Sequence, residues 1–70
     1  MSRVRATIVS FGRDYGFARP DAAGPDIFVH RRSLPADRQG LVIGEIIECD
    51  VLPKRPDQRA PSAANVKVIN

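Results

Sequence analysis

From Arg3 to Phe11, apolar and polar residues take turns: Val4, Ala6 and Ile8 fall on one side, and Arg3, Arg5 and Thr7 on the other. A period of two marks a strand with one buried face, so residues 3–11 are expected to form a strand with a basic outer face. Gly12-Arg13-Asp14 reads as a tight turn. Residues 15–19 are expected to form a second strand. Pro20 to Pro25, with two prolines and a glycine, reads as a loop, and residues 26–30 as a third strand. Arg31 to Gly40 is irregular. There Ser33 is expected to cap a short helical turn, with Leu34 plugging the core beneath and residues 37–40 forming a loop. Gly44 ends the apolar run Leu41-Val42-Ile43. Residues 45–52 predict a fourth strand, with Ile47, Cys49 and Val51 on one face and Glu48 and Asp50 on the other. Pro53 to Pro61 holds three prolines and the basic residues Lys54, Arg55 and Arg59, and is expected to be a mobile cationic loop. Residues 62–69, with Val66, Val68 and Ile69, supply the closing strand.

Five strands and short loops in 70 residues predict one all-β domain over residues 1–70. The expected architecture is a five-stranded antiparallel Greek-key barrel, an OB-fold. Closing the barrel removes the exposed edges that an open sheet would offer for aggregation. A chain this short buries only about 60% of the surface its unfolded form exposes, and its single cysteine, Cys49, allows no internal disulfide. Cys49 is expected to be core filler. One cysteine with one histidine does not make a protein-only zinc site, and neither metal nor cofactor is expected.

The eleven basic residues against eight acidic ones leave a net charge of +3, and nine of the eleven are arginine. Arginine pairs with phosphate in a bidentate fashion and stacks on flat rings. No apolar run approaches the roughly 20 residues that span a membrane. Met1-Ser2-Arg3 leads straight into a strand-like stretch without a signal-peptide core, and a lone cysteine suits a reducing compartment. A cytoplasmic location is expected, with no membrane partner.

The inventory of reactive groups is poor. His30 is the sole histidine, so general acid–base work lacks a partner. Ser10, Ser33 and Ser62 have no nucleophile setting, and there is no Gly-rich phosphate loop. Asp21 and Asp26 flank a loop as turn residues do. The chain is therefore expected to be non-catalytic, with no small-molecule substrate.

The rings point elsewhere. Strand alternation puts Tyr15, Phe17, Phe28 and His30 on one face, and Gly16, Ala18, Ile27 and Val29 on the other. The aliphatic residues can fill the core while the rings face out. Small proteins normally hide their rings, so an outward cluster beside basic residues is the kind of surface on which unstacked bases bind. Each stacked base contributes roughly 1–3 kcal/mol. His30 alone would read as a hydrogen-bonded structural residue at a strand end. Beside Phe28 and across from Phe17, it reads as part of the platform.

Arg13-Asp14-Tyr15-Gly16-Phe17-Ala18 resembles the first ribonucleoprotein motif of the cold-shock domain proteins. Ile27-Phe28-Val29-His30, preceded by Asp26, resembles the second. Arg59-Ala60-Pro61-Ser62-Ala63-Ala64-Asn65-Val66 resembles the family's C-terminal motif. The resemblance spans roughly residues 3–69, with three motifs in order and at the right spacing. It implies a barrel that binds single-stranded RNA or DNA, as a monomer or weak dimer. Tyr15, Phe17, Phe28 and His30 would stack on bases, Arg13 and Arg59 would meet phosphate or a base edge, and Asp26 would accept a base hydrogen bond.

The chain also departs from the family pattern. Val9-Ser10-Phe11-Gly12 stands where the family has a Lys-Trp-Phe-Asn stretch, and the following turn is about two residues shorter. Ser10 thus takes the place of a stacking tryptophan, and the shortened turn leaves open whether Phe11 moves into that place. Arg31 replaces the aromatic after the histidine, and Gln39 a loop aromatic. Asp14 replaces a glycine and is expected to point away from any phosphate. At least two stacking positions are lost, and at about 1–3 kcal/mol each this would weaken binding by 10²-fold or more, with Arg31 compensating in part by stacking on a base or pairing with phosphate. Two functions follow as expectations. One is single-strand binding, as an RNA chaperone or as a regulator of transcription or translation. The alternative is a barrel whose reduced ring face serves protein interaction.

Overall fold

In the computed structural model, which describes residues 3–38 and 40–69, each strand lies within one residue of its expected span. They are β1 (Arg3–Phe11), β2 (Tyr15–Pro20), β3 (Ile27–His30), β4 (Ile46–Leu52) and β5 (Ser62–Val68). Gln39, weighed above as a lost ring position, lies outside the described residues. Neighbouring strands hydrogen-bond in the order β1-β2-β3-β5-β4 and close back to β1, an all-β, OB-like barrel. Every neighbouring pair is antiparallel except β3 and β5, which run parallel and meet where Phe28 faces Ser62. None of the described helical segments is long and apolar enough to cross a membrane.

The inward positions of the alternation fill the barrel: Ala6 and Ile8 from β1, Ala18 from β2, Ile27 and Val29 from β3, Ile47 and Cys49 from β4. Leu34 packs against this cluster as expected. Cys49 is fully buried, and that burial pushes its thiol pKa up, which keeps it in the protonated, unreactive form.

Three local features depart from simple alternation. The first is a bulge in β1. Ile8 pairs with Ala18, but the next partners are Ser10 with Phe17 and Phe11 with Gly16. One extra residue, Val9, reverses the facing of everything after it. Ser10 therefore joins the outward face, and Phe11 turns toward the core, against which it packs. The second concerns the turn after β3. Arg31–Ser33 form a 3-10 turn whose cap is His30 rather than Ser33. The His30 side chain accepts from the Arg32 N–H, while the Ser33 hydroxyl donates to the Ala63 carbonyl of β5 at 3.0 Å.

The third is Asp50. It sits on the face opposite Cys49 as the alternation predicts, yet it is only 7% exposed. Asn65, held at φ 52° in β5, reaches across to donate from Nδ2 to Asp50 Oδ2 at 2.9 Å. Arg3 lies over the same carboxylate at 3.6 Å and over Glu48 at 3.3 Å, and its Nη1 donates to the Asn65 carbonyl at 2.9 Å. A buried carboxylate is tolerable only with such partners, and asparagine adopts the left-handed region more readily than most residues.

Between the 3-10 turn and β4, a tight turn spans Val42 to Glu45, with the Glu45 N–H donating to the Val42 carbonyl at 3.0 Å. Gly44 there has φ 98°, which only glycine adopts without strain. Glu45 carries the turn on its carboxylate, which accepts from Arg38 at 2.6 and 2.7 Å and from the Val42 N–H at 2.6 Å. The bond from the Val42 N–H, with help from Arg38, holds the Glu45 carboxyl below its ordinary pKa. The Gly44 N–H and the Glu45 carbonyl bind Ile8 at 2.9 Å each, fastening the turn to β1.

Candidate nucleic-acid interface

Two antiparallel strands build the ring face. Register places Tyr15 opposite His30 and Phe17 opposite Phe28, with Gly16 opposite Val29 between them and Ala18 opposite Ile27 beyond. The second set is buried, while Tyr15 stands 53% exposed and Phe17, Phe28 and His30 are half-buried. The rings touch one another. Tyr15 stacks on Phe28 at 5.4 Å, and Phe17 meets Phe28 edge-on at 5.8 Å and Tyr15 at 6.4 Å. His30 lies 6.2 Å from Phe28. Such pairs fix each other's orientation and add roughly 0.5–1.5 kcal/mol apiece beyond area burial. The result is a continuous, preformed aromatic surface.

The backbone beneath admits no bulk. A Cβ on Gly16 would collide with the Ser10 carbonyl oxygen and come within 2.6 Å of the Phe11 Cα. β2 can thus lie flush on β1 only because residue 16 is glycine.

The arginines distribute unevenly. Arg3, Arg19 and Arg38 are committed to carboxylates, Arg19 to Asp26 at 3.7 Å. Arg13, Arg31 and Arg59 are exposed, and no ion pair engages them among the described residues. Arg13 sits in the turn before Tyr15, and Arg31 directly follows His30. Its N–H donates to the Asp14 carbonyl at 2.7 Å, which ties the two ends of the ring face together. The Asp14 side chain is exposed. Asp26 lies just before β3, and its carboxylate keeps acceptor capacity beyond the Arg19 contact. His30 uses Nδ1 to accept from the Arg32 N–H at 3.1 Å. In the neutral ring Nε2 therefore carries the proton and is a donor.

Of the residues read from sequence, Tyr15, Phe17, Phe28 and His30 form one cluster, with Arg13, Arg31 and Arg59 around it. Phe11 does not join the ring cluster. It packs against the core, close to Gly16, and also lines the groove that runs past Ser10, Tyr15 and Phe17. A second groove opens between Phe17, Phe28 and the segment Gln58–Ser62, with Arg59 in its wall. Gln58 has no motif to mark it, and Ser62 reads only as part of the C-terminal motif, with no role of its own. They reach the rings through the parallel pairing of Phe28 with Ser62, a contact between distant segments that local pattern does not encode. Ile43, also in the first groove, could have been found from the apolar pair before Gly44. The chain matches no protein-family model and no curated protein.

Proposed function

We propose that this protein is a divergent cold-shock-type barrel that binds single-stranded nucleic acid without catalysis. The observation that carries the reading is the exposed four-ring cluster with uncommitted arginines at its rim. Bases splayed from a single strand stack on Tyr15, Phe17, Phe28 and His30. Arg13, Arg31 and Arg59 meet phosphates or base edges, and Asp26 and the His30 Nε2–H supply polar contacts. Bases held this way cannot pair, so binding keeps RNA unstructured passively, as expected of an RNA chaperone or a regulator of transcription or translation in the cytoplasm. Ser10 and Arg31 stand where the family has rings, and Phe11, half-buried against the core, lines the groove beside Tyr15 and Phe17. Binding is consequently weaker and leans more on arginine than in a full family member.

The test is titration of a pyrimidine-rich single strand at low salt, read by quenching of Tyr15 fluorescence, which no tryptophan obscures. Saturable quenching is expected. No binding at about 100 μM protein, equivalent to less than roughly 5.5 kcal/mol, overturns the proposal. That outcome would favour the second reading, a protein-contact surface. Its motivation is Val42 and Ile43, which stand 67% and 68% exposed on their anchored turn.

A further inference from the structure

Resting on that reading, we propose that Lys54 and Arg55 form a phosphate-binding extension of the ring face, which takes the nucleotides of the same strand beyond Phe28. The groove beside Phe17 and Phe28 does not end at Arg59. Gln58 and Ser62 line both it and a neighbouring groove whose other walls are Leu52, Lys54 and Arg55, with Pro53 and Pro56. A strand leaving the rings over Gln58 and Ser62 therefore meets the second groove next.

The loop that carries these cations is shaped. The Gln58 N–H donates to the Arg55 carbonyl at 3.0 Å, and the Arg55 N–H donates to Gln58 Oε1 at 3.1 Å. This reciprocal pair closes a turn over residues 55–58, and two flanking prolines restrict the rest of the loop. The loop expected from composition thus holds a hydrogen-bonded turn. Pinning the Arg55 backbone lowers the entropy lost when its side chain meets a ligand.

Charge identifies the occupant. Neither Lys54 nor Arg55 has an ion pair or side-chain hydrogen bond among the described residues. Leu52, 42% exposed, adds an apolar contact suited to a sugar or a base face. Cations over an apolar wall, continuous with an aromatic platform, fit a strand with a phosphate at every step. An acidic protein segment would match the cations but would have no use for the shared groove.

The experiment compares strands of about four and about nine nucleotides, within the span one such barrel covers, on the full chain and on the Lys54→Ala/Arg55→Ala variant. The nine-mer is expected to lose about tenfold in affinity, and its salt slope to fall by about 1.4, near 0.7 per phosphate contact on a single strand. The four-mer is expected to stay within about twofold of the unmodified chain. Charge reversal, Lys54→Glu/Arg55→Glu, should enlarge the nine-mer loss. Equal loss on both lengths, or no loss on either, overturns the extension while leaving the ring site intact. So does competition by poly-glutamate as effective as competition by the nine-mer. If the unmodified chain binds neither strand, the ring reading falls and the extension with it.

Discussion

Two polar neighbourhoods of this barrel look alike in sequence and differ in kind. Where β1, β4 and β5 meet, Arg3, Glu48, Asp50 and Asn65 bond one another, and the one guanidinium is shared between two carboxylates. On the β2–β3 face, Arg13, Arg31 and Arg59 stand around the ring cluster, and among the described residues no carboxylate pairs with them. A strand position occupied by arginine predicts neither outcome. What separates them is whether the neighbouring strand supplies an acceptor. A saturated cluster stabilises; an unsaturated one beside flat apolar surface is available to a ligand.

The largest test of this contrast lies under the rings. Gly16→Ala sets a methyl against β1 backbone that cannot move aside. The expected cost is about 3 kcal/mol or more, close to the whole stability of a chain this short, measured as loss of a cooperative thermal transition. If the variant melts like the parent, the packing of β2 on β1 is looser than described. Next, Phe17→Ala combined with Phe28→Ala should cut affinity for a single strand by about 10²-fold or more while a folded barrel remains by circular dichroism. An unchanged affinity rules out stacking. Asp50→Ala should do the converse. It strands the Asn65 amide and takes from Arg3 one of its two carboxylates, costing about 1–3 kcal/mol, yet it should leave strand affinity as it was. A large loss of binding at constant fold would erase the distinction between the two neighbourhoods.

The smallest effect concerns acid. The folded state holds the Glu45 carboxyl below its ordinary pKa of 4.5. Its stabilising contribution is therefore complete above that value and is lost as pH falls through the lower folded value. Thermal midpoints should drop in that acidic window, and Glu45→Gln should flatten the drop. A midpoint with the same acid dependence in both proteins would assign it to other carboxylates.

The sequence made the barrel and the ring face legible for one reason: both depend on a period of two, and the inward set Gly16, Ala18, Ile27 and Val29 agrees with the outward set ring by ring. The failures have more than one cause. The direction of Phe11 hinges on the bulge at Val9, which only pairing with β2 reveals. The burial of Asp50 needs Asn65, fifteen positions away and in a left-handed conformation. Capping fell to His30 instead of Ser33 because the turn begins at Arg31, which leaves Ser33 inside it with its hydroxyl donating to the Ala63 carbonyl. Gln58 and Ser62 joined the site through a parallel contact between distant segments. The burial of Asp50 and the places of Gln58 and Ser62 were settled by partners remote in the chain, the cap and the direction of Phe11 by nearer ones.

That parallel contact has a dynamic consequence. Among the described residues, β3 and β5 are joined by the Phe28–Ser62 bridge, by the Phe28 N–H donating to the Pro61 carbonyl at 2.8 Å, and by the Ser33 bond to Ala63. It is the thinnest seam in the wall, and so the natural place for the barrel to breathe. Phe28 stands on one lip, with Arg59 and Ser62 along the other. A strand lying across both lips acts as a suture: hydrogen exchange at the Phe28 amide should slow when the strand binds, and the whole barrel should melt later by mass action.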